Sequence, residues 1–396
     1  MAGMESNELL DAARRLKPQL VADRRAIHQH PELAYQEFRT AALVHERLTA
    51  LGIEHRTGVA ETGVIGVIEG ARPGRTVILR GDMDALPILE ETPVEFASEN
   101  PGVMHACGHD SHTAMLLGAA QLLNERRDQL AGTVKLMFQP AEEGGGGAKR
   151  MLEEGLLDGP VVDAAFMIHV HPELPMGKVG FRSGPSMAGM ARFEIEVQGK
   201  GGHAARPHAA VDPVVISAHI VTALQTLVSR EIDPTAMGLI TLGSITSGTA
   251  ANIIPDTALI KGTIRAHDQR VMDHLCARIP ELAGGVASAM RATAEVRYGM
   301  AYPPLACDDG MTELAAGAAR GLLGGENVEQ VPITMGSEDF AFVLERIPGS
   351  VVRLGVKEKG WDRTLPVHTA TFDIDEDALP IGAATMASIA ISYLES

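Results

Sequence analysis

The sequence predicts an α/β protein with a mostly parallel sheet flanked by helices, into which a smaller α+β unit is inserted. The chain has 396 residues, which is too long for one ordinary core. Apolar segments rich in β-branched residues alternate with helical segments and end in polar clusters. Residues 190–302 follow the order β-α-β-β-α-β, which is the ferredoxin-like arrangement.

The composition indicates a globular protein and argues against some classes of partner. Hydrophobic residues make up 45% of the chain and charged residues 21%. The formal net charge of −17 argues against nucleic acid and against anionic membrane surfaces. No apolar run reaches the roughly 18 residues that a membrane span needs. Only three cysteines are present, Cys107, Cys276 and Cys307, which suits a reducing compartment, so we expect a cytoplasmic protein.

Three predicted strands in the first half of the chain end in residues that can bind metals or protons. These are Asp82 and Asp84 after strand 76–80, Glu142 and Glu143 after strand 132–139, and His169 near the end of strand 161–170. The carboxyl ends of parallel strands share one edge, where α/β enzymes place their sites. Each feature also has a structural explanation, as a turn, a solvated loop or a packed histidine. The repetition of the pattern favours one shared site.

The segment 104–112 is the densest group of potential metal ligands, with one cysteine, three histidines and an aspartate. Gly108 separates Cys107 from His109, so a tight loop can direct both side chains at one point. Thiolate and imidazole are good ligands for zinc-like metals. The alternative is a polar loop with surface histidines.

An apolar helix is predicted immediately after this segment, over residues 113–123. Asp110 or Ser111 is predicted to cap its N-terminus. A ligand loop that ends at a helix N-terminus is a plausible metal site.

The sequence after predicted strand 132–139 places two glutamates next to each other, before four glycines. One carboxylate can ligate a metal while its neighbour acts as a base. The glycines do not form a phosphate loop, because no Gly-Lys-Ser/Thr follows. A solvated acidic loop is the structural alternative.

The inserted block is predicted to span residues 187–302, and the catalytic domain residues 1–186 and 303–396. The block carries His203 in a glycine-rich loop, Asn252 before a short apolar segment, and Arg265 at a strand end. Taken alone, each is an ordinary loop or strand-end residue.

Together these segments resemble the metallopeptidase family that includes hippurate hydrolases, indole-3-acetic acid–amino acid hydrolases, N-acetyldiaminopimelate deacetylases and aminoacylases. The resemblance covers nearly the whole chain and implies a zinc-exopeptidase-like catalytic domain with an inserted lid and dimerisation domain. It is carried by residues 28–38, 80–87, 104–113, 138–147, 169–177, 199–208, 252–256, 336–340 and the loop of His368.

The resemblance also implies roles for individual residues. Two metal ions would be held by Cys107, His109, Glu143, His169 and His368. Glu142 would be the general base, and His203 would reach the site of a partner subunit to stabilise the oxyanion. Asn252 and Arg265 would hold the α-carboxylate of the product amino acid.

One motif departs from the wider family. That family has His-x-Asp where this chain has Asp82-Met83-Asp84, as in the hippurate hydrolase branch. We therefore expect no histidine ligand there. We expect Asp84 at most to orient the metal ligands, without binding a metal itself. A cysteine in place of a bridging aspartate leaves the native metal open.

The expected activity is metal-dependent hydrolysis of N-acyl amino acids, with N-acetyl or N-benzoyl groups as candidates. The expected cofactors are two divalent ions, Mn²⁺ or Zn²⁺ first, then Co²⁺ or Ni²⁺. The expected assembly is a homodimer or a dimer-based tetramer, without nucleic acid or membrane. The alternatives are a dipeptidase or carboxypeptidase, and a non-catalytic metal-dependent binding protein.

Overall fold

The computed structural model describes residues 2–361 and 363–396, with residues 2–7 described by their backbone alone. The chain forms two compact units. The first comprises residues up to Gly184 together with 306–332 and 342–396, and the second comprises 185–305 and 333–341. The second unit is thus slightly longer than the block expected at 187–302, and it takes in a later segment that we expected in the catalytic domain.

Helices and strands alternate over most of the described chain. The helices are α1 (Ala2–Gln29), α2 (Phe38–Ala50), α3 (His109–Asn124), α4 (Gly147–Glu153), α5 (Pro213–Thr226), α6 (Gln269–Ala289), α7 (Asp309–Leu323), α8 (Ala341–Leu344) and α9 (Ala378–Glu395). The strands are β1 (Glu54–Val59), β2 (Gly63–Glu69), β3 (Arg72–Asp82), β4 (Ala131–Gln139), β5 (Ala164–Pro175), β6 (Val179–Phe181), β7 (Gly184–Met187), β8 (Gly189–Gln198), β9 (Gly202–His203), β10 (Gly238–Ser247), β11 (Ile253–Ile254), β12 (Thr257–Ala266), β13 (Thr293–Tyr302), β14 (Leu305–Cys307), β15 (Val328–Gln330) and β16 (Gly349–Lys357).

The first unit is built on a sheet of order β1-β2-β4-β3-β5-β16-β6-β15. Its centre is parallel, because β3 pairs in parallel with β4 and β5, and β16 pairs in parallel with β5. Asp82 lies opposite Gln139, and Arg80 lies opposite Met167, so His169 comes level with Asp82. The mostly parallel sheet flanked by helices is therefore confirmed, and its register brings the polar strand ends to one edge.

Helix α9 is a long, strongly apolar helix of the first unit. It has 18 residues and a mean hydropathy of 1.3, so by length and composition it could cross a membrane. In this fold, however, 78% of it is buried, and it packs against α1, α3 and α7. A core helix of this kind has apolar residues all round, which is what the sequence of α9 shows.

The second unit has an antiparallel sheet of order β10-β12-β8-β13. Helices α5 and α6 pack on it through a separate apolar core. This confirms the β-α-β-β-α-β order. Helix α6 continues through Pro280, where the sequence predicts a kink or a break, so it is not split there.

Candidate metal centre

The loop before α3 presents Cys107 and His109 because Gly108 adopts a conformation that other residues avoid. Its φ is +83°, and a Cβ at this position would lie 2.6 Å from the Cγ2 of Val170. Glycine accommodates both constraints, since it has no side chain. The loop can therefore turn sharply between the two candidate ligands.

The predicted cap of this helix is wrong. Gly108 occupies the N-cap position and makes no side-chain cap hydrogen bond, while Asp110 and Ser111 lie inside the first turn. The Ser111 hydroxyl donates back to the carbonyl oxygen of Gly108. The Asp110 carboxylate instead pairs with Arg24 at 3.1 Å. A buried cation outcompetes the local backbone amides for this aspartate.

The first candidate ion position lies among Cys107, His109 and His169, whose donor atoms are all within 4.8 Å of one another. Cys107 Sγ is 3.5 Å from His169 Nε2. His169 Nδ1 donates to the carbonyl oxygen of Val170 at 2.8 Å, and His109 Nδ1 donates to Asp84 at 3.2 Å. These bonds place the ring protons on Nδ1 and leave each Nε2 lone pair for a metal.

The second candidate position lies among Cys107, Glu143 and His368. His368 Nε2 is 2.9 Å from Glu143 Oε1. His368 has a φ of +62°, and its N–H donates to the carbonyl oxygen of Ala106 at 2.7 Å, which holds it against the ligand loop. Cys107 belongs to both groups, so its sulfur could be a ligand at either candidate position.

The charges of this cluster suit divalent cations. Burial, and then the carboxylate of Glu143, raise the pKa of the Cys107 thiol. Hydrogen bonds to Cys107 and Glu143 raise the pKa of His368 to about 10. Each group thus holds protons that a metal ion would replace. Thiolate, imidazole and carboxylate together are a donor set that zinc-like and neighbouring metals accept, so the residues fit the expected ions.

A neighbouring group, Asp82 with His109 and His112, has metal-like spacing but is already satisfied in part. His112 Nδ1 bonds Asp82 at 2.6 Å, and its Nε2 accepts the N–H of Val170 at 2.9 Å. No lone pair of His112 remains for a metal. Burial opposes ionisation of Asp82, but the Arg80 guanidinium at 2.7 Å holds the pKa of that carboxyl well below its usual range. Asp82, Arg80 and His112 thus form a hydrogen-bonded group next to the candidate ligands. The sequence analysis did not assign His112 or Arg80 any role.

The loop after β4 carries the candidate base. Glu142 is 7% exposed, and its carboxylate lies within 4.8 Å of the donor atoms of His109 and Glu143. The backbone N–H groups of Glu142 and Glu143 donate to the two oxygens of Asp84, at 3.0 and 2.9 Å. Asp84 thus contacts the ring of His109 and the backbone of both glutamates at once.

In the second unit, His203 and Asn252 lie close together. His203 on β9 pairs with Ile253 on β11, and the N–H of Ala204 donates to the carbonyl oxygen of Asn252 at 3.1 Å. The side chain of His203 is exposed, and its Nδ1 accepts the N–H of Ala205 at 3.0 Å. Its proton therefore sits on Nε2, which faces solvent as a donor.

Arg265 lies in the four-stranded sheet, near the end of β12 that is far from Asn252. It is eight residues from the start of β12 at Thr257, or about 26 Å along the strand. It is half-buried and donates to the carbonyl oxygen of Met335 at 3.0 Å. Burial and the nearby Arg192 lower its pKa, which shows a second cation close by. One copy of this unit therefore does not bring Arg265 near His203 and Asn252.

Two candidate ion positions beside the carboxylate of Glu142, at the edge of a parallel sheet, are typical of a metal-dependent amide hydrolase. Residues 78–392 match the model of the peptidase family M20/M25/M40, and the chain belongs to this family. Together with the relatives and solved structures described next, this match confirms the fold, the hydrolase class and the resemblance to the amidohydrolase branch.

Three relatives are similar over nearly the whole chain. An N-acetyl-L-cysteine deacetylase of Bacillus subtilis is 42% identical over 92% of this chain and 85% of its own length. The IAA-amino acid hydrolase ILR1-like 4 of Arabidopsis thaliana is 41% identical over 95% and 86%. Thermostable carboxypeptidase 1 of Saccharolobus solfataricus is 40% identical over 98% of both chains.

Two solved structures share the whole architecture. A protein of methicillin-resistant Staphylococcus aureus has a TM-score of 0.92 and 37% identity, covering 98% of this chain and all of its own. The YXEP protein of Bacillus subtilis, described as a dinuclear metal binding peptidase of the M20 family, has a TM-score of 0.81 and 35% identity, covering 96% and 99%. This relative and the two ligand groups support two divalent metal ions.

Proposed function

We propose that this chain hydrolyses the amide bond of N-acyl amino acids to a carboxylic acid and a free amino acid. The observation that carries the proposal is the pair of ligand groups that share Cys107, with the Glu142 carboxylate beside them. The deacetylase and the IAA-amino acid hydrolase named above support blocked amino acids as the substrate class.

The proposed ligands are Cys107, His109, Glu143, His169 and His368. When bound, two divalent ions would lower the pKa of a coordinated water and polarise the amide carbonyl. Glu142 would accept the proton of the attacking water and then deliver it to the leaving nitrogen. Its burial favours this role, because a carboxylate shielded from solvent holds the proton between the two steps.

His203 and Asn252 would act at the metal centre of a partner subunit. The exposed Nε2–H of His203 is a suitable donor for the oxyanion of the tetrahedral intermediate. Arg265, paired with a second cation, would bind the substrate carboxylate. Since Arg265 and Asn252 lie far apart on one chain, contact of both with one substrate requires two subunits. We therefore propose a homodimer, or a tetramer built from dimers.

The native ions are proposed to be Mn²⁺ or Zn²⁺, with Co²⁺ and Ni²⁺ as substitutes. A bridging thiolate favours borderline-soft ions, whereas the carboxylate and imidazole ligands suit all four. A cytoplasmic location is also proposed. It is supported by the three cysteines, Cys107, Cys276 and Cys307, which form no disulfide bond.

A second candidate is a carboxypeptidase or dipeptidase on the same site. It is favoured by the similarity to the carboxypeptidase of Saccharolobus solfataricus. The two activities differ in whether the acyl side of the substrate carries a free amine.

The test is a turnover screen of metal-reconstituted protein. N-acetyl, N-benzoyl and N-indoleacetyl amino acids would be compared with unblocked dipeptides, and release of the amino acid would be measured. We expect turnover of the blocked substrates, and its loss in Glu142→Gln with metal content unchanged. Turnover of dipeptides alone would replace the proposal with the peptidase alternative. Full activity of Glu142→Gln would contradict the role of the base.

A further inference from the structure

The segment 35–37 contacts the loop that carries the two glutamates, although the proposed function gives this segment no role. Glu37 is the N-cap residue of α2, but its side chain makes no hydrogen bond to that helix. Glu32 binds the first amides of α2 instead, accepting the N–H of Arg39 at 3.0 Å and of Thr40 at 3.1 Å. The carboxylate of Glu37 is therefore directed elsewhere.

Glu37 is fully buried and its carboxylate accepts three hydrogen bonds. One oxygen accepts the N–H of Ala141 at 2.9 Å and the N–H of Tyr35 at 3.0 Å. The other accepts the hydroxyl of Thr62 at 2.5 Å. The bond to Ala141 joins α2 to the residue that directly precedes the candidate base.

Ala141 needs such support because its backbone is strained. Its φ is +54°, in the left-handed region that a residue with a Cβ seldom adopts. Its carbonyl oxygen accepts the N–H groups of Gly145 and Gly147, both at 3.2 Å, so the loop winds around this residue. A change in the conformation of Ala141 would rotate the peptide group between Ala141 and Glu142, and so would reorient Glu142.

Tyr35 holds the other end of the same loop. Its hydroxyl donates to the carbonyl oxygen of Gly145 at 2.7 Å. A Cβ on Gly145 would lie 2.4 Å from the Cβ of Ala141 and 3.1 Å from a ring carbon of Tyr35, so the three residues are closely packed. Glu37 and Tyr35, two positions apart in sequence, therefore hydrogen-bond the loop at Ala141 and at Gly145.

Glu37 and Asp84 act on successive residues of this loop. Glu37 accepts the amide of Ala141, and Asp84 accepts the amides of Glu142 and Glu143. Burial is the main cause that raises the pKa of Glu37 to about 7; the nearby carboxylate of Asp84 adds to it, while the hydrogen bond from Thr62 opposes it. Two buried acids therefore fix three consecutive peptide groups.

We propose that Glu37, assisted by Tyr35, is a positioning residue that fixes the backbone of loop 141–147 and thereby aims the carboxylates of Glu142 and Glu143. The effect on catalysis rests on the proposed function. The stabilisation of the loop by Glu37 and Tyr35 does not depend on it. Small displacements of catalytic groups cost much activity even when the cause lies outside the site.

The experiment compares Glu37→Ala, Glu37→Gln and Tyr35→Phe in metal-loaded protein. Glu37→Ala should lower kcat about 100-fold with little change in KM. Glu37→Gln should stay close to wild type, because its amide oxygen can accept both N–H groups and its amide nitrogen can bond Thr62. Tyr35→Phe, which loses one hydrogen bond and keeps the ring, should lower kcat about tenfold.

Glu32→Ala is the matched control, since Glu32 also accepts backbone amides in this segment but does not touch the loop. It should leave kcat unchanged. A kcat for Glu37→Ala equal to that of Glu32→Ala, or a Glu37→Gln variant as impaired as Glu37→Ala, would overturn the proposal.

Amide hydrogen exchange gives a readout that does not depend on catalysis. Protection of residues 141–147 should be lost in Glu37→Ala and retained in Glu32→Ala. Unchanged protection in Glu37→Ala would refute the brace even in an active enzyme. If wild-type protein hydrolyses none of the substrates, the proposed function fails. The exchange result still shows whether Glu37 stabilises the loop 141–147.

Discussion

At the scale of single residues, Arg24 on α1 links two segments that carry candidate ligands. Its side chain is 1% exposed and contacts three acids, Asp110 at 3.1 Å, Asp373 at 2.9 Å and Glu376 at 3.0 Å. Asp110 is next to His109, and Asp373 lies on the loop that follows His368. A buried cation that loses its partners is strongly destabilising, so this cluster ties both ligand segments to α1.

His28, one turn further along α1, makes the stability of this cluster depend on pH. Burial alone would lower its pKa, but hydrogen bonds to Asp110 at 2.8 Å and to Glu90 at 3.1 Å raise it to about 9. The folded state therefore binds this proton more tightly than the unfolded chain, whose pKa is about 6.5. The difference corresponds to roughly 3 kcal/mol, present below pH about 6.5 and lost as pH rises through about 9.

The prediction is checked with His28→Gln by urea unfolding between pH 6 and pH 9.5. The stability advantage of wild type over the variant should be largest at the acidic end and should shrink towards the alkaline end. His30→Gln is the matched control, because His30 is half-buried and its ion pair with Glu99 is longer, at 3.7 Å. An advantage of His28 that stays constant over this range would contradict the assignment.

Candidate ligands could be predicted from the sequence where one short segment concentrates them. Cys107 and His109 stand two apart around a glycine, and the structure brings them together with His169, Glu143 and His368. The sequence could not show that His109 is a candidate ligand and His112 is not. Only the structure shows that both nitrogens of His112 already form hydrogen bonds. The partner of Asp110 was equally hidden, since Arg24 lies 86 residues earlier in the chain.

At the scale of elements, the alternation of strands and helices was predictable, but helix starts and loop contacts were not. The parallel centre of the sheet follows from strands whose polar residues come at the same end. The start of α3 could not be predicted, because Asp110 is drawn to a distant cation and a left-handed glycine takes the cap position. The contact of Glu37 with Ala141 joins residues 104 positions apart, which no local pattern records.

At the scale of the whole molecule, the separation of Arg265 from His203 and Asn252 leads to a prediction about subunits. Glu142→Gln and His203→Ala should each be inactive alone. In a mixed dimer, one metal centre would combine an intact Glu142 with the intact His203 of the other chain, so about half of wild-type turnover should return. Absence of any recovery in a verified mixed dimer would argue that His203 does not act across subunits.

The central claim, that two metal ions held around Cys107 are required for amide hydrolysis, is tested most directly by metal titration. Chelator-treated protein would be reconstituted with Mn²⁺ or Zn²⁺, and turnover of an N-acyl amino acid would be measured against the metal bound per chain. We predict no turnover in metal-free protein and a return of activity as occupancy approaches two ions per chain. Undiminished turnover in protein shown to be free of metal would contradict the account.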